Sequence, residues 1–454
     1  MKPTKITSMI LKNKIATDMK KTALCLLLAL PFTAMAQQPV PAKKQSKSIL
    51  LMNGICHVGN GKVIENSLVG FKDGVITLVG DATVIRIDRS QWDTTINCAG
   101  KHVYPGLIAP NSTLGLIELE AVRATADFNE VGYLNPHVRT QTAYNTDSKI
   151  IPTVRTNGVL MAQITPRGGR ISGTSTIMNL DGWNWEDATL KADDGVHLNW
   201  PGYYSRNWTE NGPGPYEKSK LYAERRADLE KFFAEARAYC LTPTPAEKNL
   251  RFEAMRGVFN GTQNLYIHAE SVKDISEAVT FSKKYGITRM TIVGGADSWK
   301  CTELLKQNNV SIMLSRVHSL PLRPDDDVNQ PYKTARMLQD AGVLFCFENS
   351  GDQEATHARN IPFLAGTAVA WGLDKEAAIS AMTWNTAKIL GISDRVGTIE
   401  EKKDATLFVS EGDVMDMKTN NVTWAFIQGK TLQLTNEQQQ MYELYSDKYG
   451  LPDK

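Results

Sequence analysis

Three side chains that could carry acid–base or metal chemistry stand near the ends of apolar segments. His268 ends one apolar run, Asp352 follows the turn signal Ser350-Gly351, and His318 lies shortly after the apolar run 310–314. Imidazole and carboxylate groups move protons near neutral pH and bind divalent metals. Each residue also has a structural interpretation: a histidine hydrogen-bonded in a core, an aspartate capping a turn or helix, and a histidine on a surface loop.

A glycine-rich segment, Thr165–Gly173, carries Arg167 and Arg170. Its glycines allow backbone N–H groups to approach an anion, and a guanidinium can clamp a carboxylate. The segment lacks the Lys-Ser/Thr pair of a P-loop, which argues against nucleotide binding. It predicts a conformational loop from which Arg167 or Arg170 contacts a substrate carboxylate.

The elements that must position these residues alternate between short apolar runs and helical patterns from residue 105 to about 402. The strand candidates are 159–164, 264–268, 290–293, 310–314 and 343–347. Ile275, Ala278, Val279 and Ser282 share one helical face, and Gly286 closes that helix. Repeated β-then-α units with near-continuous apolar strands predict a parallel sheet, either doubly wound or closed as a barrel. The length suits a (β/α)8 barrel with insertions, whose strands point their carboxyl ends at the active site.

Both ends of the chain have β character. Residues 68–79 contain strand, Asp-Gly turn and strand, because Asp-Gly supplies the positive φ of a tight hairpin. The strand candidates 405–409 and 422–427 flank a turn near the other end. These segments predict one small β-sandwich domain built from residues 48–104 and 403–434, around a barrel of residues 105–402.

The segment Tyr104–Gly115, YPGLIAPNSTLG, resembles the first barrel strand of the amidohydrolase superfamily, whose pattern is roughly P-G-L-I-D-x-H-x-H-x-G. The stretches Arg359–Leu373, Ala381–Gly391 and Val396–Leu407 also resemble this superfamily, and the layout from Ile49 to Leu434 resembles its periplasmic imidazolonepropionase-like members. The resemblance implies fold class α/β with a TIM-like barrel. It implies hydrolysis of carbon–nitrogen bonds other than linear peptide bonds, with zinc or another divalent metal lowering the pKa of a bound water.

The resemblance also assigns metal ligands, and here the sequence departs from the pattern. Asn111 and Thr113 stand where two histidines are expected, and Gly294-Gly295 stands where the strand-6 histidine is expected. His268 matches the strand-5 histidine, and Asp352 matches the strand-8 acid that ligates metal and accepts the proton of water. Because amide and hydroxyl groups are poorer zinc ligands than imidazole, the resemblance implies a degenerate site in which the metal is bound weakly or is absent.

The remaining site residues are assigned by position. Asn111 and Thr113, at the end of the first barrel strand, are candidates for substrate binding together with Arg167 and Arg170. His318, after the seventh strand candidate, is a candidate catalytic residue or a replacement metal ligand.

Composition excludes some classes of protein. The chain is 42% hydrophobic and 22% charged, as in globular domains. Its formal net charge of +2 lacks the strongly basic character of nucleic-acid binders. The cysteines after residue 36 are scattered, odd in number and without a C-x-x-C spacing. They predict free thiols, with one bridge between Cys56 and Cys98 left open.

The N-terminal segment has the pattern of a secretory signal peptide beginning at Met19. Lys20-Lys21 precedes the apolar run 23–32, and Ala34-Met35-Ala36 is a small-x-small cleavage site. The run is too short to span a membrane as a helix. Residues 1–36 carry six lysines and one aspartate, so their removal changes the formal net charge from +2 to −3. The pattern predicts a periplasmic or secreted protein, with residues 1–18 as an upstream extension.

Three further segments complete the organisation. Residues 37–47 are polar and predict a flexible leader, and residues 435–454 form a C-terminal tail. Residues 183–245 are a predicted insertion that is rich in tryptophan and tyrosine. The insertion leaves four interpretations open: a lid, a carbohydrate-like binding platform, a subunit interface, or a segment packed on its own small core.

These observations support different functional hypotheses. In one, the protein is an exported amidohydrolase-type enzyme that cleaves a cyclic amide, a small peptide or a related molecule, with a reduced metal site or with none. In another, it is a catalytically inactive member that binds a small ligand or supports an intact paralogue as a hetero-oligomer. A structural role in the cell envelope is a third, and a homo-oligomer also remains open.

Overall fold

The computed structural model describes residues 40–451 except residues 211 and 352. The predicted signal peptide and the candidate site residue Asp352 therefore lie outside the described residues. Within the described part, every helix is too short or too polar to cross a membrane. The described cysteines are free thiols, so the bridge between Cys56 and Cys98 that the sequence left open is not formed.

Twenty strands are described. In chain order, β1 to β20, they are Ile49–His57, Val63–Lys72, Val75–Asp81, Thr94–Asn97, His102–Pro105, Leu107–Ser112, Val159–Ile164, Ile171–Asn179, Thr189–Asn199, Tyr204–Ser205, Trp208–Thr209, Gly212–Pro213, Glu217–Lys218, Asn264–Ala269, Met290–Gly294, Ser311–Leu314, Phe345–Phe347, Leu407–Ser410, Val422–Ile427 and Lys430–Thr431.

Thirteen α-helices accompany these strands in the described residues. In chain order, α1 to α13, they are Ile150–Arg155, Trp185–Ala188, Tyr222–Leu241, Leu250–Glu253, Arg256–Phe259, Val272–Tyr285, Thr302–Gln307, Gln330–Ala341, Glu354–His357, Ile361–Ala370, Lys375–Met382, Trp384–Leu390 and Glu437–Tyr449. The strand candidates of the sequence are confirmed, and so is the amphipathic helix α6, which ends at Gly286 in the left-handed conformation with φ 71°.

The central sheet is a nearly closed barrel in which eight strands follow the order β17-β16-β15-β14-β9-β8-β7-β6. The predicted α/β barrel is therefore confirmed in its class. One strand departs from the regular pattern, because β8 runs antiparallel to both β7 and β9. The connection from β7 to β8 has room only for a short loop, whereas a parallel connection needs a crossover of about a dozen residues.

The two end strands of the barrel, β6 and β17, approach each other through side chains and helices. Asn111 Nδ2 near the end of β6 donates to Glu348 Oε2, just after β17, at 3.3 Å. Helices α11 and α12 contact both strands. These contacts connect β6 with β17, the two strands at the ends of the hydrogen-bonded order, at the mouth of the barrel.

Strands from both ends of the chain share a second sheet, with the order β20-β19-β18-β5-β1-β2-β3 and with β4 paired to β1. One face packs an apolar cluster that includes Leu51, Val69 and Phe426. The other carries a smaller cluster around Leu50 and Leu68. Both faces of this sheet are therefore covered by apolar contacts.

The region predicted as an insertion, residues 183–245, contains the barrel strand β9. Asp193, Asp194 and Gly195 resemble a turn in the sequence, yet Gly195 lies inside the strand. A β-carbon at this position would clash with the ring of Tyr266 on β14, so glycine permits the close approach. The remainder of the region includes α3, whose Leu229 and Phe233 join the main core.

The leader predicted to be flexible is attached to the rest of the chain at two residues. Ala42 N donates to Asp181 Oδ1 at 3.2 Å. Gln45 accepts from Gly74 N at 2.7 Å and donates to Phe71 O at 3.1 Å. These contacts hold residues 42–45 against the segment after β8 and against the composite sheet.

Candidate functional site

A pocket of about 550 Å³ opens at the carboxyl ends of the parallel barrel strands. Strand ends supply its polar lining: His268 on β14, Glu270 directly after β14, and Glu348 directly after β17. Trp200 and Tyr204, which follow β9, supply aromatic surface. The location is where barrel enzymes place their active sites.

Glu270 is open to the pocket, although protein atoms surround its carboxyl group on the other sides. Its Oε2 accepts a hydrogen bond from Ala296 N at 3.0 Å. Loss of hydration at this position, together with the negative charge of Glu348, raises the pKa of Glu270 from 4.5 to about 7. A carboxyl group with such a pKa can either donate or accept a proton near neutral pH.

The position of Glu270 depends on the glycine that replaces the expected strand-6 histidine. Gly294 has φ 97°, and a β-carbon there would overlap the Glu270 carboxyl group. The absence of a side chain at residue 294 therefore provides the space that Glu270 occupies.

Glu348 is almost completely buried, with 1% of its surface exposed. Its Oε2 accepts from Ser350 N at 2.6 Å and from Asn111 Nδ2 at 3.3 Å. Burial raises the pKa of Glu348, against the lowering effect of these hydrogen bonds and of Arg167. The second pocket carboxyl group is therefore held rigidly at the end of β17.

His268 belongs to a chain of buried hydrogen bonds. Its Nε2 lies 3.0 Å from His197 Nδ1, and His197 Nε2 lies 3.0 Å from Ser175 Oγ. Ser175 Oγ donates to Asp194 Oδ1 at 2.6 Å. His197, Ser175 and Asp194 are fully buried. Burial lowers the pKa of His268 to about 3, with a further contribution from Arg167, so its imidazole is neutral near pH 7.

Arg167 and Asn111, two residues predicted to bind substrate, contact each other. Arg167 Nη1 donates to Asn111 Oδ1 at 3.0 Å, and Nη2 donates to Asn111 O at 2.8 Å. The same guanidinium forms two bonds of 3.0 Å to the Glu354 carboxylate. The Arg167 guanidinium is thus engaged by protein groups beside the pocket.

The other predicted site residues occupy separate positions. Arg170 donates to Asn199 O at 2.5 Å and to Tyr133 OH at 3.0 Å. Thr113 is buried after β6. His318 is exposed, and its Nε2 lies 2.7 Å from Thr367 Oγ1 on α10. Among the described candidates, only His268 lines the pocket, while Asp352 lies outside the described residues.

Glu270, Glu348, His197, Ser175 and Asp194 are site residues that sequence reasoning missed. Two of them carried a usable signal, because Glu270 lies two residues after His268 and Glu348 directly follows a strand candidate. The strand that contains Asp194 and His197 is not evident from the sequence, because Asp193-Asp194-Gly195 in its middle has the composition of a turn.

The described residues do not fit the metal that the fold family implies. Outside residues 211 and 352, no group of three His, Cys, Asp or Glu side chains between residues 40 and 451 is arranged to hold a metal ion. His268 offers at most one ring nitrogen, because its Nε2 is hydrogen-bonded to His197, and the Asn111 amide oxygen accepts from the cationic Arg167. A zinc ion needs about three protein ligands with free lone pairs.

Comparisons with known proteins agree with this architecture. A profile of the amidohydrolase family matches residues 263–432. The imidazolonepropionase of Syntrophobacter fumaroxidans is similar, with 24% identity over 393 residues that cover 78% of this chain and 86% of that protein. The imidazolonepropionase of Flavobacterium psychrophilum is 25% identical over 185 residues, and this match covers 36% of the chain and 45% of the relative.

A solved structure extends the likeness to the fold. The crystal structure of an amidohydrolase from Thermotoga maritima has a TM-score of 0.72 to this chain at 22% identity, covering 85% of this chain and 99% of that one. Together with the motifs of the sequence, the profile match and these relatives support an amidohydrolase-superfamily, imidazolonepropionase-like member, and the solved structure shows the shared fold.

Proposed function

We propose that this protein is an exported hydrolase of carbon–nitrogen bonds other than linear peptide bonds, and that it acts on a small cyclic amide. The single observation that carries the proposal is the convergence of Glu270, Glu348 and His268 on one pocket. Membership of the superfamily and the similarity to imidazolonepropionases support the reaction class. Export rests on the signal-like pattern of residues 19–36.

The pocket groups suit hydrolysis assisted by general acid and general base. The neutral His268 accepts a proton from a water molecule as the water oxygen bonds to the amide carbon. The C–N bond then breaks, and Glu270 in its protonated form supplies a proton to the leaving nitrogen. The pKa of about 7 for Glu270 supports this role, because both of its protonation states are populated near neutral pH.

Glu348 and the aromatic residues orient the substrate in this scheme. The buried carboxyl group of Glu348 accepts a hydrogen bond from an amide N–H of the substrate, which holds the ring in one orientation. Trp200 and Tyr204 offer ring faces against which a small planar molecule stacks. The volume of about 550 Å³ suits a compact substrate.

The small composite sheet is proposed to act as a β-sandwich domain that supports the barrel. Its two apolar faces support this assignment. Phe408 on β18 packs in the same core as the barrel residues Leu107 and Leu160. The domain therefore holds the wall of the barrel rather than the pocket.

Incubation of the mature protein with a panel of imidazolones, lactams and cyclic ureides tests the proposal, with ring opening followed by ultraviolet absorbance and mass spectrometry. We expect at least one ring to be opened and Glu270→Gln to reduce the rate by about 100-fold or more. The control Glu303→Gln changes an exposed carboxylate on α7 and should leave the rate unchanged.

Calorimetry with the same panel separates hydrolysis from the alternative function. Tight binding of a panel member without turnover would replace the hydrolase proposal with that of an inactive ligand-binding subunit. Neither binding nor turnover across the panel would reject a cyclic amide as the ligand.

A further inference from the structure

We propose that His268, His197, Ser175 and Asp194 form a proton relay that carries a proton from the pocket to the buried Asp194 carboxylate. The relay deepens the proposed hydrolase function, since it supplies the base that receives the proton of the attacking water. Three successive contacts of 3.0, 3.0 and 2.6 Å join the four side chains without a gap.

The surroundings of Asp194 fix the direction of the chain. Asn264 Nδ2 donates to Tyr266 OH at 2.9 Å, so the Tyr266 hydroxyl proton is free to point at Asp194 Oδ2, 2.7 Å away. Gln163 Nε2 also donates to Oδ2, at 3.0 Å. Oδ2 thus receives two donors, and Oδ1 receives the hydroxyl of Ser175.

The tautomers of the two histidines follow from this direction. Because Ser175 donates to Asp194, its oxygen accepts the Nε2–H of His197. His197 Nδ1 then carries no proton and accepts the Nε2–H of His268. His268 Nδ1 is left with a lone pair, and it has no hydrogen-bond partner among the residues that the structure describes. His268 lines the pocket, where a water molecule or a substrate N–H meets this lone pair.

Proton transfer along the chain conserves every atom and leaves both imidazoles neutral. Water gives a proton to His268 Nδ1, and His268 Nε2 passes its own proton to His197 Nδ1. His197 Nε2 passes its proton to Ser175 Oγ, whose hydroxyl proton moves to Asp194 Oδ1. The carboxylate becomes a carboxylic acid, and the hydroxide forms the new bond to carbon. The reverse shift restores the resting state through the pocket after the product leaves.

The end of the relay is suited to holding a proton. Asp194 is fully buried, and the groups bonded to it are neutral. Burial raises the pKa of Asp194, although Lys191 and the three hydrogen bonds oppose the shift. The proton taken from water is therefore held by the Asp194 carboxyl group, at the end of the relay farthest from the pocket.

Nitrogen NMR of the protein labelled with 15N-histidine tests the relay, because protonated and unprotonated ring nitrogens have well-separated shifts. The signals are assigned with His197→Gln and His268→Gln. In the unaltered protein at neutral pH, we expect both histidines to carry their proton on Nε2 and none on Nδ1. Ser175→Ala removes the acceptor of His197 Nε2–H, so we expect the shifts of both histidines to move toward mixed tautomers.

Thr176→Val is the matched control. Its neighbouring hydroxyl on β8 is also buried and lacks a hydrogen-bond partner among the described residues, so its removal should leave both histidines unchanged. An imidazolium at either position, or a proton on His268 Nδ1 in the unaltered protein, would overturn the relay. The relay would also be overturned if Ser175→Ala left the ring-nitrogen shifts of His197 and His268 unchanged.

If Ser175→Ala fails to fold, the tautomers of the unaltered protein decide the question alone. No substrate is present in this measurement. The relay can therefore fail while hydrolysis is observed, and the predicted tautomers can be found in a protein that hydrolyses nothing tested.

Discussion

Gly294 and Glu270 occupy complementary space at the mouth of the barrel, since a β-carbon at residue 294 would lie within 2.9 Å of Glu270 Oε2 and still closer to Oε1. The two positions are therefore linked: a side chain at residue 294 and the present conformation of Glu270 exclude each other. The glycine at the end of β15 thereby leaves room for the Glu270 carboxyl group in the pocket.

Zinc binding should be weak in the unaltered protein. Neutral amide and hydroxyl oxygens at Asn111 and Thr113 replace imidazole nitrogen, and Arg167 places a positive charge 3.0 Å from Asn111 Oδ1. After dialysis against a weak chelator, metal analysis should find well below one equivalent. The double change Asn111→His with Thr113→His should raise retention only in part, because residue 294 still lacks a side chain. One equivalent of zinc in the unaltered protein would refute the prediction.

The Arg167–Glu354 pair should contribute substantially to stability. Arg167→Met keeps the aliphatic stem but removes the two guanidinium donors of the Glu354 carboxylate and the donors of the Asn111 oxygens, so urea unfolding should show a loss of about 3 kcal/mol. The comparison is Lys149→Met, which breaks an exposed pair with Glu437 at 3.4 Å and should cost less than about 0.5 kcal/mol. Equal losses of unfolding free energy in the two variants would show that the Arg167–Glu354 pair contributes no more to stability than the exposed Lys149–Glu437 pair.

Gly158 should tolerate alanine far less well than Gly286. Both glycines have positive φ, of 85° and 71°, so both alanine variants carry similar backbone strain. A β-carbon at Gly158 would lie 2.5 Å from Phe408 Cζ, whereas nothing lies within 4 Å at Gly286. We expect losses of about 3 kcal/mol and about 1 kcal/mol in urea unfolding. The reverse order would mean that the composite sheet does not pack tightly on the barrel.

The free energy of unfolding should depend on the ionisation of Asp194. Its ordinary pKa is 3.8, and burial raises the folded-state pKa above that value. Below pH 3.8 both states hold the proton, and above it the unfolded chain loses the proton first. The folded protein therefore loses stability as pH rises through its own pKa. Asp194→Asn should remove this part of the pH dependence of the free energy of unfolding. If urea unfolding across pH 3–8 gives the same pH dependence for the variant and the unaltered protein, the raised pKa of Asp194 is contradicted.

Export should remove residues 1–36. The expected product begins at Gln37, because Ala34-Met35-Ala36 has small residues at the positions that signal peptidase reads. N-terminal sequencing of periplasmic material, after treatment to open a cyclised glutamine, checks the cleavage site. A control with Ala36→Arg should accumulate uncleaved precursor. Mature protein that retains residues 1–18 would show that the segment is not a signal peptide.

The sequence alone determined the class of fold because period and composition are local properties. Apolar runs such as 290–293 and 310–314 form parallel strands wherever both faces are covered, and Gly286 ends a helix through its own left-handed conformation. The motif at Tyr104–Gly115 and the residue types at Asn111 and Thr113 were equally visible without a structure.

Tertiary structure decided which polar groups share the site. Asp194 and His268 lie 74 positions apart in the sequence, and nothing local indicates that Ser175 and His197 connect them. The antiparallel turn of β8 brings Ser175 beside Asp194, and the parallel pairing of β9 with β14 brings His197 beside His268. Burial then requires these polar groups to hydrogen-bond to one another, because they no longer have access to water. This requirement arises only in the folded barrel, so the sequence alone does not reveal it.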